Sequence, residues 1–557
     1  MINTGTHVSQ LPDLIYRDFR SQRIREAQRH FTAHDPILPE QLHRLTLFTT
    51  FRCNLRCQYC HTFQHTPTTA QSDYTLVRFK MLLDRFTPAH INHIHFTGGE
   101  ATLVKDLPEM AAAARERAIL CSLTTNGMAH PDIFRRLADA GIQEIRISCD
   151  SHIPEQFDRL VNRPGAYQRV LNTIRDLVRL RDDAGKPLYI ILNMCVGEHN
   201  RHQLADCVQH FANLDLNDIK LIPILSNRPQ LSRLGELHQT LDKLEDFLAG
   251  CSPQRFPLLR RKLVTVFDEF TWGLTDPNSK RLMRHCFVPL TERTVAGDGY
   301  YACPVYVREG GSRLGTLADD DFRTQQQKSL DFACGDSCVT DLLCKHNCIN
   351  CLKRFNLEAN ARITGQMRGK YGRFEPITDT VEYAGQITQA EVRAQAQRIA
   401  HERQTSPTDM PYRPFLVIKP RGLAFKPQIL DVLASKQITI DRMTPISDWN
   451  AAAMRFYTIP LTDRRVFFGL LMARALPLIE GTTRAELLWL NGEYSFDTLE
   501  QIKREIRDIL PPSNYVVFYQ DDVYCISQGY LHSPDPRHYA VEASVLLRET
   551  LHDSITL

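Results

Sequence analysis

Between residues 44 and 225 two hydrophobic rhythms alternate along the chain. Short β-branched runs, "LTLFTT", "HIHFTG", "CSLTTNG", "EIRISCD", "LYIILNMCV" and "IKLIPI", have strand length and sit between turn residues. Between them Leu76, Phe79, Leu83 and Phe86, and later Val170, Ile174 and Leu177, recur at helical spacing. Strands alternating with helices predict parallel β/α units. Six units are too few to close an eight-fold barrel and predict an open one, an α/β fold with a partial (β/α)6 barrel. Active sites in such folds gather at the C-terminal ends of the strands.

Beyond the barrel the rhythm changes. Residues 226–285 read as helical and polar, and 286–355 as a cysteine-rich module with few periodic segments. A connector over 356–411 holds one helix, "ITQAEVRAQAQRIAHERQ", opened by a capping box of Thr388 and Glu391, and closes on "TSPTDMPYRP", a linker. From 412 a core returns. "FLVIK" and "NYVVFY" are strands, "PQILDVLASK" is a helix, and Leu499, Ile502, Ile506 and Ile509 mark another, which together predict a separate α+β domain. The expected segments are thus 1–43 (an irregular and helical extension), 44–240 (barrel), 241–355 (cysteine module), 356–411 (connector) and 412–557 (α+β domain).

The 557 residues exceed one ordinary core, in keeping with several domains. Hydrophobic residues at 43% and charged residues at 24% describe a globular chain. A net charge of +3 over this length gives no reason to invoke nucleic acid or a membrane surface. The N-terminus "MINTGTHVSQ" lacks a signal-peptide core, and no apolar run approaches a membrane span, so a cytoplasmic location is expected. In a reducing compartment clustered cysteines point to metal. Of 16 cysteines, ten fall in two groups. The other six, at 121, 149, 195, 207, 251 and 525, read as small core residues.

The first group is "CNLRCQYC", with Cys53, Cys57 and Cys60 just after the first strand. Structural zinc takes four protein ligands, whereas three thiolates hold three corners of a 4Fe–4S cube and leave the fourth iron open. A zinc knuckle completed by His61 or His65 is the alternative. The spacing C-x3-C-x2-C, with Tyr59 before the last cysteine, resembles the radical S-adenosylmethionine (SAM) superfamily. So do "TGGEATL" after the second strand, "TTNG" after the third, "ISCDS" after the fourth and "NMCVGEHN" on the fifth. The resemblance covers 44–225. It implies that Gly98 and Gly99 admit the methionine moiety and that Glu100 accepts from its amino group. It also implies that Tyr59, Asn126, Ser148, Asp150 and Asn193 belong to the SAM pocket. Helix capping by Asn126, Ser148, Asp150 and Asn193 is the plainer alternative. The implied activity is reductive cleavage of SAM to a 5′-deoxyadenosyl radical that abstracts hydrogen from a substrate C–H bond. A flavodoxin- or ferredoxin-type reductant is implied with it.

The second group is Cys286, Cys303, Cys334, Cys338, Cys344, Cys348 and Cys351. "DGYYAC" followed by C-x5-C-x3-C resembles the SPASM or twitch modules that carry one or two auxiliary iron–sulfur clusters. The three residues between Cys334 and Cys338 depart from that pattern. Seven thiols do not make two sets of four; His346 is a candidate eighth ligand, and a zinc staple is the alternative.

In the last domain "FLVIKPRG", "VFFGLL" and "YLHSPDPRHYAVEASVLL" resemble nucleoside diphosphate kinases. Lys419 and His532 would be the phosphate-binding pair, with Asp535 after it. Ser533, Pro534 and Gly529 depart from the kinase pattern, which implies a domain that binds and does not transfer phosphate; a ferredoxin-like α+β fold that exposes the His and Lys for docking or dimerisation is the alternative. The substrate expected is a nucleotide or nucleotide-linked sugar, with peptide maturation as the second reading. A non-catalytic metal scaffold is the reading from another class. No residue of the sequence singles itself out as the catalytic acid or base.

Overall fold

The six expected strands form one parallel array. They are β1 (Arg44–Thr50), β2 (His93–Gly98), β3 (Leu120–Thr125), β4 (Glu144–Ser148), β5 (Tyr189–Val196) and β6 (Asp218–Pro223). They pair in the order β6-β5-β4-β3-β2-β1. In this computed structural model the described residues are 20–31, 35–60, 73–223, 234–252, 254–260, 283–348, 350–368, 373–405, 410–458, 461, 463–519, 522–527 and 529–552. They divide into two compact units, one ending at residue 364 and one beginning at 365.

Alternation along each strand sorts the side chains of the first unit. Leu45, Leu47, Ile94, Phe96, Leu123, Ile145, Ile147, Ile190, Leu192, Ile219 and Leu221 lie on one face. They form a single core with Phe79 and Leu83 of the helix Leu76–Arg85, Met110 of Leu107–Glu116, Leu137 of Pro131–Asp139 and Ile174 of Ala166–Asp182. The other face carries Thr46, His93, His95, Ser122, Thr124, Glu144, Arg146 and Asn193. Parallel sheets are usually apolar on both faces. A buried polar second face sets this sheet apart from that pattern.

The sheet continues past β1. Strand β7 (Glu292–Ala296) pairs parallel with β1, and β8 (Gly299–Tyr301) and β9 (Gly315–Thr316) follow antiparallel. The cysteine module expected to begin at 241 is therefore built onto the edge of the barrel sheet. Buried Glu292 anchors the join, pairing with Arg44 at 2.7 Å and Arg23 at 3.0 Å. Arg23 lies on the helix Arg20–His30, within the expected N-terminal extension.

The second unit starts earlier than the sequence suggests. A hairpin of β10 (Gln366–Arg368) and β11 (Phe374–Pro376) precedes β12 (Asp379–Tyr383), which pairs parallel with β16 (Asn514–Tyr519); β17 (Asp522–Ser527) completes that sheet. The stretch expected as a connector thus contributes strands to the second unit. Its helix, Gln389–Thr405, does carry the capping box: Thr388 N–H donates to Glu391 at 2.9 Å and Glu391 N–H to Thr388 Oγ1 at 3.2 Å. A four-stranded antiparallel sheet is formed by β13 (Phe415–Ile418), β14 (Thr439–Ile446), β15 (Ala485–Asn491) and β18 (Leu531–His532), in the order β14-β15-β13-β18. Phe415, Val417, Leu487 and Trp489 pack on one face with Trp449 and Leu546. Leu416, Ile418, Leu488 and Leu490 pack on the other with Ile429, Leu433, Leu499 and Ile502. Among the described residues no helix is long and apolar enough to cross a membrane.

Candidate functional site

The loop carrying Cys53, Cys57 and Cys60 leaves the C-terminal end of β1, and the two glycines at the end of β2 hold it there. Gly98 and Gly99 press against the backbone of the loop's first residues: an added Cβ would lie 2.2 Å from Thr50 O at Gly98 and 2.3 Å from Arg52 O at Gly99. Gly98 has φ +146°, which other residues rarely adopt. Gly99 N–H donates to Thr50 O at 2.7 Å and Glu100 N–H to Arg52 O at 2.8 Å. The contact the structure gives these glycines is the cysteine loop itself.

Glu100 is buried and ties two strand ends together. Its Oε1 accepts from Thr102 Oγ1 at 2.6 Å and Thr125 Oγ1 at 2.8 Å, and its Oε2 from Asn126 N–H at 2.6 Å. Burial pushes the carboxyl up, opposed by these donors. Asn126 reaches the loop, with Nδ2 2.7 Å from Asn54 Oδ1 and 3.6 Å from Cys53 Sγ. Burial raises the thiols of Cys53 and Cys57, the latter to about 12; Asp150 and the neighbouring cysteines add to the shift at Cys57. Thiols so disposed ionise when a metal shares the charge.

Across the loop, Tyr59 O–H donates to Asp150 Oδ2 and its ring stacks on His199 at 5.8 Å. Asp150 Oδ1 accepts from Cys195 N–H at 2.7 Å, and burial lifts its carboxyl to about 7. Ser148 and Asn193 sit opposite each other on β4 and β5. Asn193 is buried with its Oδ1 lacking a hydrogen-bond partner. Cys195, expected in the core, is only half-buried at the end of β5, as is Cys251 elsewhere. Among the described residues no three His, Cys, Asp or Glu side chains converge on a single-ion site. His61 and His65 lie outside the described residues.

Residues 47–210 match the model of the radical SAM superfamily. The chain carries a radical SAM domain. Mouse molybdenum cofactor biosynthesis protein 1 is 27% identical over 243 residues, 42% of this chain and 37% of that protein. The mitochondrial GTP 3′,8-cyclase of Arabidopsis thaliana is 29% identical over 225 residues, 39% of this chain and 54% of that protein. The chain therefore spans from about a third to about half of the length of these relatives. Among solved structures, Streptococcus suis SuiB bound to precursor peptide SuiA aligns at 13% identity and TM-score 0.40, covering 58% of this chain and 70% of that one. AnSMEcpe with AdoMet and the Cp18Cys peptide aligns at 15% identity and TM-score 0.40, covering 58% and 96%. The cofactors of a radical SAM domain are a 4Fe–4S cluster and S-adenosylmethionine, and three loop thiols beside a buried carboxylate and an unpartnered amide suit both.

The polar face of the radical SAM domain's sheet was not singled out in the sequence. His93 Nε2 and His95 Nδ1 both meet Ser122 Oγ, at 2.8 and 2.7 Å, and Thr124 Oγ1 meets His95 Nε2 at 3.1 Å. Burial, then Arg44 and Arg146, hold both imidazoles well below their ordinary pKa and so neutral; Lys220 adds to the effect at His95. The signal was present as "HIH", "SLT" and "EIR" on successive strands, polar residues two apart.

Beyond the radical SAM domain, Cys286, Cys303, Cys338, Cys344 and Cys348 line one small cavity, with Val288, Val305, Tyr306, Leu343 and Asn356. The β7–β8 hairpin places Cys303 at the start of the helix Pro304–Arg308. Asp341 caps the helix Leu342–Asn347, accepting from Leu343 N–H at 2.8 Å, and takes the Tyr306 hydroxyl at 2.6 Å. A hydrogen bond between Cys286 and Cys338 lowers the first thiol and raises the second; burial lifts Cys303 to about 12. Cys334, at the end of the helix Phe322–Cys334, is exposed and does not line this cavity. The side chains of Cys351 and His346 lie outside the described residues.

In the second unit Lys419 follows β13, and His532 sits on the neighbouring β18, paired with Val417. Lys419 Nζ lies 6.0 Å from the Trp449 ring centre and 5.7 Å from that of Tyr457. Burial, then Lys503, bring its amine down to about 8. Both ring nitrogens of His532 are engaged: Nδ1 with Tyr457 Oη at 2.9 Å, Nε2 with Glu542 Oε2 at 3.2 Å. Asp535 turns to Arg537 at 2.7 Å and drops to about 2.

Proposed function

We propose that this chain is a radical SAM enzyme that abstracts hydrogen from a nucleotide or nucleotide-linked sugar, assisted by an auxiliary iron–sulfur cluster. The carrying observation is the cysteine loop fixed to three strand ends by Gly98–Gly99, Glu100 and the Tyr59–Asp150 contact. Cys53, Cys57 and Cys60 would hold the cluster. When bound, the cluster and SAM supply the 5′-deoxyadenosyl radical. The chain's own part is to place and enclose. Ser148 at the end of β4 and Asn193 beside it on β5 would face the ligand, while Glu100 and Asn126 keep the loop from drifting. Four of the five thiols of Cys286, Cys303, Cys338, Cys344 and Cys348, Cys286 among them, would hold the auxiliary cluster, and a flavodoxin- or ferredoxin-type reductant would supply electrons.

The nucleotide reading draws on two supports. The Arabidopsis relative is named for a reaction of GTP. The second unit fits the same reading. Its sheet order is that of a ferredoxin-like fold, the fold of the kinases its motifs resemble. Lys419 would bind phosphate there, and His532, engaged at both nitrogens, would not accept it. In an anaerobic assay with GTP and other nucleotides deuterated on the sugar, deuterium should appear in 5′-deoxyadenosine for the true substrate. No transfer from any nucleotide, with transfer from a peptide, would return the chain to peptide maturation.

A further inference from the structure

One helix, Asn350–Thr364, grips the segment 284–287 with two asparagines four residues apart, and they do different things. Asn360 uses both ends of its amide on backbone, accepting from Arg284 and His285 N–H at 2.9 Å and donating to His285 O at 2.8 Å. Asn356, 1% exposed, spends only one end that way: its Oδ1 accepts Phe287 N–H at 2.8 Å. That bond fixes the amide's orientation, so Nδ2–H points into the cysteine cavity, 3.3 Å from Cys286 Sγ. Tyr306 also approaches a cavity sulfur, Cys344 at 3.5 Å, but its proton goes to Asp341 at 2.6 Å. The radical SAM loop repeats the device. Asn126 Oδ1 accepts Met128 N–H at 3.0 Å, which turns Nδ2 toward Cys53 Sγ.

An N–H donated to a ligand sulfur stabilises negative charge on it. A reduced cluster carries more of that charge than an oxidised one, so the bond favours reduction. We propose that Asn356 is a positioning residue that sets the redox poise of the auxiliary site, raising its reduction potential through Cys286 Sγ. This rests on reading the cavity as an iron–sulfur site, and the inference goes beyond it by assigning a residue that is not a ligand.

The test is an EPR-monitored redox titration of the anaerobically reconstituted full chain. It is done in the Cys57→Ala background, so that the auxiliary signal stands alone. Asn356→Leu removes the donor at similar volume. Asn356→Asp keeps the acceptor for Phe287 N–H but turns an oxygen toward the sulfur. Both should move the midpoint to more negative potential, the Asp variant at least as far as the Leu variant, with iron and sulfide content unchanged. An unshifted midpoint in either iron-loaded variant overturns the proposal. Loss of the auxiliary iron in both would make Asn356 a builder of the site and overturns it equally. Absence of auxiliary iron from the Cys57→Ala parent refutes the cluster reading itself, a distinct result.

Discussion

At Gly99 a single methyl group decides whether the cysteine loop can sit where it does. The added Cβ would overlap backbone oxygen of Arg52, which cannot swing away as a side chain can. Gly99→Ala should therefore cost about 2 kcal/mol or more in chemical denaturation and lower the iron bound after reconstitution. A variant with unchanged stability and iron would remove the packing role given to this glycine. Lys419 gives a residue-scale prediction with a pH sign. Its pKa falls from 10.5 to about 8 on folding, so the unfolded chain holds the proton more tightly. Stability should therefore rise from pH 8 toward 10.5, and below pH 8 the full cost, about 3 kcal/mol, is present. Lys419→Met should raise the melting temperature of the second unit at pH 7 and flatten that rise. An equal slope in the variant would contradict the burial argument.

At the scale of elements, what was legible was local. "HIHFTG" and "EIRISCD" announce their strands because alternation and flanking turns are written into six or seven residues, and Thr388 and Glu391 announce a helix start in four. Pairing across long stretches of chain was not legible. Nothing in "ERTVA" says that it will lie beside β1, because the join is held by an ion triad, Glu292 with Arg23 and Arg44, contributed by three separate segments. "DTVEY" likewise reads as polar connector until β16 is there to receive it. Candidate site residues followed the same rule. The cysteine spacing was visible, but that Glu100 would spend its oxygens on Thr102, Thr125 and Asn126 depends on strand ends meeting in space. The ion triad is testable. Glu292→Leu leaves buried Arg23 and half-buried Arg44 without their carboxylate and should destabilise the first unit by roughly 3 kcal/mol. A loss below 1 kcal/mol would mean that the join of β7 to β1 does not depend on it.

Over the whole molecule, two thiol sites lie in one unit and a buried lysine–histidine site in the other. If the two thiol sites hold separate clusters, Cys57→Ala and Cys303→Ala should each lose about four irons per chain while leaving the other site's EPR signal intact. Loss of all iron from either variant would contradict independent sites. The central claim is that the loop of Cys53, Cys57 and Cys60 turns SAM into a radical source. The most direct measurement is chromatography for 5′-deoxyadenosine after anaerobic reconstitution and dithionite reduction, wild type beside Cys57→Ala. The account predicts the nucleoside from the wild type and none from the variant. Equal product from both, or none from iron-loaded wild type, would contradict it.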